Sequence, residues 1–130
     1  LASTMTAITR IYYARSRRML ELEFDDGSEG ALSAEFLRVH SPSAEVRGHA
    51  SGQEVLQTGK QDVSVSDIKP IGHYAVQLVF DDGHDSGIFT WPYLYELTRN
   101  QTLLWQRYIE ALDAAGSSRD PSVQVVHIKP

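Results

Sequence analysis

His84 is the side chain of this sequence with the strongest case for chemistry. It lies in the stretch DDGHDSGIFTW (81–91), among several carboxylates. An imidazole that titrates near neutral pH can act as a metal ligand or a general base. The competing interpretation is structural: Asp82-Gly83 predicts a two-residue hairpin loop, across which Asp81 and His84 would face each other as an exposed pair. We favour this second interpretation, because Ser28 holds the equivalent position in a similar earlier stretch.

A metal site is the first chemical alternative. Zinc takes about four nitrogen, sulfur or oxygen ligands, and the absence of cysteine excludes thiolate ligands and disulfides. None of the histidines is spaced as HxH or HExxH; they are His40, His49, His73, His84 and His127. The candidate metal site therefore combines His84 with His40 or His49, and zinc is the metal it would take. Our expectation is nevertheless a chain with no cofactor.

Nucleophilic catalysis and phosphate binding have weaker support. The sequence has no GxSxG motif, and Ser41 and Ser43 are only neighbours of His40 in sequence, so we expect no catalytic residues and no enzyme. The stretch QTGKQ (57–61) ends in Gly-Lys without completing a phosphate-loop motif. An anion site built from Arg47, His49 and Lys60 remains an alternative.

Composition limits the class of partner. The 130 residues suit one domain, and the net charge of −5 with a pI of about 5.4 argues against a general nucleic-acid binder and against docking on anionic membranes. No apolar run approaches the roughly 20 residues of a membrane span. The start LASTMTAITRI lacks the features of a signal peptide. We therefore expect a cytoplasmic protein.

An internal echo predicts the fold. The stretches 19–37 and 75–94 each contain an alternating strand, Phe-Asp-Asp-Gly, a short second strand and a helix start. Leu20, Leu22 and Phe24 alternate with glutamates, as in a strand with one buried face. We predict an α+β fold: a mainly antiparallel single sheet built from two similar β-hairpins, with C-terminal helices packed on one face.

Further strands and helices complete this plan. Strands are expected at 7–14 and 63–72, and helices at 34–40, 91–98 and 101–116, with N-caps at Ser33, Thr90 and Asn100 and a stop at Gly116. Residues 41–62 form a long polar loop of the kind that is usually functional or disordered. The predicted divisions are 1–7 as a disordered N-terminus or added remnant, 8–116 as the domain, and 117–130 as a flexible tail or added strand, VQVVHI.

Three motifs in order resemble a known family. They are LRVHSPSAEVRGH (37–49), LQTGK (56–60) and DGHDSGIFTWPYL (82–94). Over roughly residues 8–115 the chain resembles small bacterial proteins of unknown function that are named for the N-terminal domain of gamma-butyrobetaine hydroxylase.

The resemblance implies an accessory role. In the hydroxylase this domain binds zinc through a cysteine cluster and one histidine and assists dimerisation, whereas the chemistry belongs to a separate domain. By motif, the cysteines fall at Ser41, Ser43 and Val46 of this chain and the histidine at His84. Three ligands are thus replaced, and hydroxylase activity is not implied. Similar segments are fused to ATP-dependent iron–sulfur carrier proteins, which suggests docking near cluster assembly.

We therefore expect a non-catalytic accessory or protein-interaction domain, with an unidentified protein partner and a homodimer as a further implication of the resemblance. The alternatives are a metal-binding accessory domain with a degenerate site at His84 and a small anion-binding protein. The predicted interaction surface consists of Arg38, Ser41, Ser43, Glu45, Arg47, His49, Gln57, Lys60 and Asp85.

Overall fold

Six strands and four helices follow one another in a computed structural model that describes residues 6–48 and 52–123. In chain order they are β1 (Ile8–Ala14), β2 (Met19–Phe24), β3 (Glu29–Ser33), α1 (Ala34–Val39), α2 (Ala44–Arg47), β4 (Val65–Ile71), β5 (Ala75–Phe80), β6 (Ile88–Thr90), α3 (Trp91–Arg99) and α4 (Gln101–Ala114). Within the described ranges, no helix has the length and apolar character needed to cross a membrane.

The strands form two antiparallel sheets, in the orders β1-β2-β3 and β4-β5-β6. The α+β class and the two similar hairpins are therefore confirmed. The expectation of one continuous sheet was wrong, because the strands divide into two three-stranded sheets. Each sheet consists of the two strands of one repeat and the strand that precedes them; β3 and β6 lead directly into helices and do not pair with the other repeat.

The hairpin turns differ from the predicted two-residue loops. In the second repeat the amide of Phe80 donates to the carbonyl of His84 at 2.9 Å, and Gly83, with a φ of 91°, donates back to Phe80 at 3.1 Å. This is a three-residue loop that ends in a bulge, which requires glycine at the left-handed position. The loop at 24–28 has the same pattern. His84 therefore pairs with Phe80 and not with Asp81, which changes the direction of its side chain.

Both sheets contribute to one hydrophobic core. The predicted alternation in β2 is confirmed, since Leu20, Leu22 and Phe24 are all buried. Burying an aliphatic or aromatic side chain stabilises a fold by about 1.5–3 kcal/mol. Side chains from both sheets, α1 and α3 make up this core: Leu20, Leu22, Phe24, Leu32, Phe36, Leu37, Val65, Val76, Leu78, Phe80, Phe89, Leu94 and Leu97.

Side-chain caps begin two of the helices as predicted. The hydroxyl of Ser33 accepts from the amide of Phe36 at 3.0 Å, and that of Thr90 accepts from Tyr93 at 3.3 Å. Pro92 occupies the first turn of α3, where no amide is needed. These caps fix the points at which β3 and β6 turn into helices.

The predicted cap at Asn100 was wrong, whereas the predicted helix stop at Gly116 is confirmed. Asn100 makes no side-chain cap; its amide group donates to the carbonyl of Glu96 at 3.0 Å and so closes α3 instead. Gly116 adopts a φ of 65°, and the next amide, that of Ser117, donates to Leu112 at 2.9 Å. This is the Schellman arrangement that stops a helix at glycine.

The chain after α4 folds back onto α1. The guanidinium of Arg119 binds the buried carboxylate of Glu35 through two hydrogen bonds of 2.8 and 2.7 Å, and it lies over the ring of Trp105. The carbonyl of Ser118 accepts from the amide of Gly59 at 2.9 Å. Residues 124–130, with most of the predicted VQVVHI strand, and residues 1–5 lie outside the described residues.

The Arg119–Glu35 pair gives a first testable expectation. Replacing Arg119 with Gln leaves a buried carboxylate without its cation, so we expect the free energy of unfolding to fall by about 1–3 kcal/mol. Urea denaturation of both proteins measures this difference. Arg107→Gln, on the exposed side of α4, is the matched control and is expected to change stability by less than about 0.5 kcal/mol. Equal losses in the two variants would contradict the assigned role of the pair.

Candidate functional site

His84 is buried at the centre of a polar network. Only 5% of the surface of His84 is exposed, so the prediction of an exposed pair with Asp81 is wrong. Its Nε2 lies 2.8 Å from the hydroxyl of Ser41, and its Nδ1 lies 3.2 Å from a carboxylate oxygen of Glu45. The bulge in the hairpin turns the ring toward the segment that follows α1, which brings together residues about forty positions apart in sequence.

The partners determine the proton positions. A carboxylate only accepts, so Nδ1 of His84 carries the proton and donates to Glu45. In the neutral ring Nε2 then accepts, and the hydroxyl of Ser41 donates to it. The same hydroxyl accepts from the amide of Ser43 at 3.3 Å. A directed chain therefore runs from Ser43 through Ser41 and His84 to Glu45.

Burial keeps this imidazole neutral. Burial lowers the pKa of His84 below its ordinary value of 6.5, and the positive charge of Arg38 lowers it further. Glu45 and Asp82 act in the opposite direction without reversing the result. Burial also lowers the pKa of His40, with a smaller contribution from Arg47.

A second layer of hydroxyls positions α2. The hydroxyl of Ser43 caps this helix by accepting from the amide of Glu45 at 3.2 Å, and it lies 2.8 Å from the hydroxyl of Ser86. Ser86 in turn donates to the second carboxylate oxygen of Glu45 at 3.2 Å. These contacts join α2 to the β5–β6 hairpin.

Asp82, next to His84 in the hairpin loop, pairs with two basic side chains. It accepts from Nε of Arg38 at 2.8 Å and from Nζ of Lys60 at 2.7 Å, and the amide of His84 donates to its other oxygen at 3.1 Å. Burial alone would raise the pKa of Asp82, but these hydrogen bonds and charges outweigh it and lower that pKa to about 2. Because Lys60 is committed to this carboxylate, the predicted anion site with Arg47 loses one of its cations.

The hydrogen bonds from Ser41 to His84 and from His84 to Glu45 follow the same sequence as in a serine hydrolase triad. The amino-acid sequence did not indicate this arrangement. A nucleophile must be reachable by its substrate. The residue Ser41 is 1% exposed, and a Cβ placed on Gly87 would lie 2.4 Å from its hydroxyl. The backbone of Gly87 therefore covers the oxygen, and the chain of hydrogen bonds serves to hold two segments together.

The zinc site that the resemblance implies does not fit these residues. Ser41 meets His84 as the motif suggests, whereas the hydroxyl of Ser43 contacts Ser86 instead. Hydroxyls are poor zinc ligands, and Val46 offers no donor atom. Among the residues that the structure describes, no group of three or more His, Cys, Asp or Glu side chains could hold a metal ion. The ring of His40 donates from Nδ1 to the carbonyl of Phe36 at 2.9 Å, and His49 lies outside the described residues.

A groove opens beside α2 and behind this network. It has a volume of about 410 Å³ and is lined by Val39, His40, Ser41, Val46, Arg47, Glu54, Val55, Leu56, Gln57, Tyr93, Tyr108 and Ala111. Val55 is 53% exposed at its edge, and the guanidinium of Arg47 lies 5.2 Å from the centre of the Tyr93 ring. Three predicted surface residues, Ser41, Arg47 and Gln57, thus line one cavity.

Other predicted residues lie elsewhere. Arg38 is buried in α1, where it pairs with Asp82. Asp85 is exposed on the β5–β6 hairpin, where its carbonyl accepts from Gln77. A second concavity, of about 440 Å³, covers the outer face of the first sheet. None of the predicted site residues lines it, whereas His40, Ser41, Arg47 and Gln57 line the groove beside α2, so we place the functional site at that groove.

The pairing of Asp82 predicts acid sensitivity. Its pKa is depressed to about 2 from the ordinary 3.8, so its contribution to stability is present above pH 3.8 and is lost as the pH falls toward about 2. We expect Asp82→Asn to lower the free energy of unfolding by about 2–3 kcal/mol at neutral pH, because Arg38 loses its partner, and to flatten the stability curve below pH 3.8. Urea titrations across this pH range measure both effects. Parallel curves for wild type and variant would refute the assignment, and the exposed Asp85→Asn variant serves as control.

His84 predicts a second transition at higher pH. Because its folded pKa lies below the ordinary 6.5, its contribution to stability is present above pH 6.5 and decreases as the pH falls below that value. His84→Gln should reduce this slope and cost about 1–3 kcal/mol at neutral pH, since the buried Ser41 loses its acceptor. Thermal unfolding between neutral and mildly acidic pH tests this, with the exposed His73→Gln as matched control. An unchanged slope in His84→Gln would count against the neutral buried imidazole.

Comparison with known proteins places this geometry in a family. The family model described as "Gamma-butyrobetaine hydroxylase-like, N-terminal" matches residues 11–95, well over half of the chain. The match includes α1, α2 and the β5–β6 hairpin that contains His84. None of the curated proteins matches significantly.

Three solved structures are similar over most of their length. Two solution structures determined by NMR share 48% and 45% identity, with TM-scores of 0.80 and 0.79; they cover 95% and 100% of this chain and 98% and 97% of their own. A crystal structure from Acidithiobacillus ferrooxidans, of a protein of unknown function in the DUF971 family, shares 41% identity with a TM-score of 0.60, over 71% of this chain and 92% of its own. The chain therefore belongs to the family of gamma-butyrobetaine hydroxylase-like N-terminal domains.

Proposed function

We propose that this chain is a non-catalytic accessory domain that binds a protein partner through the groove beside α2. The observation that carries the proposal is the groove itself: an open cavity of about 410 Å³ with Val39, Val46 and Leu56 in its walls and Val55 exposed at its edge. Partner segments commonly place apolar side chains in a groove of this kind on a folded domain.

The network under the groove supports binding rather than turnover. Ser41, Glu45 and His84 satisfy one another and hold the wall of the groove in place before a partner arrives. A preformed surface avoids part of the ordering cost of association. The hydroxyl of Ser41 lies under the backbone of Gly87, where a substrate would not reach it, so we assign the three residues to support.

The class of partner follows from the family resemblance. Similar segments occur fused to ATP-dependent iron–sulfur carrier proteins, so a component of cluster assembly in the cytoplasm is the partner we favour. Without cysteine the chain offers no thiolate to a cluster. In this proposal the domain contributes docking, and the partner holds the cluster. A second copy of the chain is the alternative occupant of the groove.

A matched pair of variants tests the proposed surface. Val55→Asp places a charge at the edge of the groove, whereas Leu103→Asp places the same charge at a similarly exposed apolar position on α4, with exposures of 53% and 47%. A partner captured from the host by the wild-type chain is identified by mass spectrometry, purified and titrated against all three proteins. We expect Val55→Asp to weaken its binding at least about tenfold and Leu103→Asp to leave it unchanged.

The outcomes separate the alternatives. Equal affinities for wild type and Val55→Asp would remove the groove from the interaction. Failure to capture any partner, together with a monomeric sedimentation profile, would contradict the docking role itself. A concentration-dependent dimer that Val55→Asp disrupts would identify a second copy of this chain as the occupant.

A further inference from the structure

We infer that the groove recognises a partner peptide segment in which an apolar side chain lies next to a carboxylate. This inference rests on the proposed docking function and specifies its chemistry. Three features of the lining carry it: the stacked and accessible guanidinium of Arg47, the engagement of the aromatic hydroxyl groups, and the size of the cavity.

Arg47 supplies the positive charge of the groove. Within the described part of the chain no carboxylate lies at ion-pair distance from it, whereas Arg38 and Arg119 are neutralised by Asp82 and Glu35. Its guanidinium rests on the face of Tyr93, 5.2 Å from the ring centre. Stacking of this kind orients the planar guanidinium group. Its N–H donors, which lie in the guanidinium plane, stay available to a carboxylate.

The two aromatic hydroxyl groups in the lining are already engaged. The hydroxyl of Tyr93 donates to the carbonyl of His40, and that of Tyr108 donates to the carbonyl of Gln57 at 2.7 Å. Glu54 accepts from the amide of Gly52 in its own turn at 3.3 Å. The aromatic rings therefore contribute carbon surface, and Arg47 is the charged donor that an incoming group meets.

The volume matches a short peptide anchor. About 410 Å³ lies at the lower end of the range of small-ligand sites and suits one or two large apolar side chains. The remaining walls are aliphatic, from Val39, Val46, Leu56 and Ala111. An apolar anchor would fill the groove, and an adjacent Asp or Glu would reach Arg47 at its rim.

Blocked hexapeptides test this recognition directly on the full chain. The probes are acetyl-Gly-Asp-Leu-Phe-Asp-Gly-amide and its analogue with Asn at both Asp positions. Binding of each peptide is measured from the changes in the amide chemical shifts of the isotope-labelled protein. We expect the Asp peptide to shift the amides of Arg47, Val55, Leu56 and Gln57 and to bind about three- to tenfold more tightly than the Asn peptide. The preference should weaken as salt is added.

A matched arginine variant completes the test. Arg47→Gln should abolish the preference for Asp over Asn while retaining weak apolar binding. Arg99→Gln, which removes another arginine stacked on a tyrosine, at 5.7 Å over Tyr95, should leave the preference intact. Its side chain is not part of the groove lining.

The possible results distinguish this inference from the docking proposal. Equal binding of the two peptides, or shifts confined to residues outside the groove, would overturn the acidic–apolar recognition. If the captured partner still depends on Val55 in that case, the docking function stands with a different chemistry. If octanoate shifts the groove amides and neither peptide does, the site takes a small apolar carboxylate and the peptide inference fails.

Discussion

The structure around the groove depends on one constraint: a buried imidazole must have both of its nitrogens satisfied. His84 meets that requirement only when the segment after α1 approaches closely enough for Ser41 to reach Nε2 and for Glu45 to reach Nδ1. Satisfying the ring therefore fixes the position of α2, which is too short to be stable by itself. Together with the contacts of Ser43 and Ser86, the bonds of this one side chain hold the wall of the groove that carries Val46 and Arg47.

Two buried ion pairs connect helix α1 to other parts of the molecule. All of its residues are buried, including two charged ones that are three positions apart, Glu35 and Arg38. Arg38 pairs with Asp82 in the His84 hairpin, and Glu35 pairs with Arg119 after α4. Each buried charge is thus held by a segment distant in sequence. Because an unpaired buried charge is costly, these two pairs specify where the hairpin and the C-terminal segment must lie.

Local signals in the sequence predicted the elements well but not their connection. The alternation of Leu20 and Leu22, the caps at Ser33 and Thr90 and the stop at Gly116 each depend on residues within a few positions. The hairpin loop was read as two residues because Asp-Gly is common to both loop types. The backbone hydrogen bonds that distinguish the types depend on the pairing of the flanking strands.

The site was harder to predict than the fold for a related reason. The sequence marked His84 and the loop containing Ser41 and Glu45 as separate candidates, and the family motif linked Ser41 to His84 through a metal that the serines would bind poorly. The direct contact spans 43 positions of the chain, a separation over which no periodic pattern gives information. Arg38 was expected on the surface because arginine is rarely buried, yet its partner Asp82 lies 44 positions away.

Hydrogen bonds can hold two chain segments together as a metal ion would, without supplying the chemistry of the metal. A zinc ion would draw its ligands to within roughly 2.0–2.3 Å of one centre, whereas Ser41 and His84 meet directly at 2.8 Å and need nothing between them. The two arrangements hold the same two segments together, although the second supplies no Lewis acid. If the task of the domain is to present the groove, the exchange of cysteines for serines preserves that task.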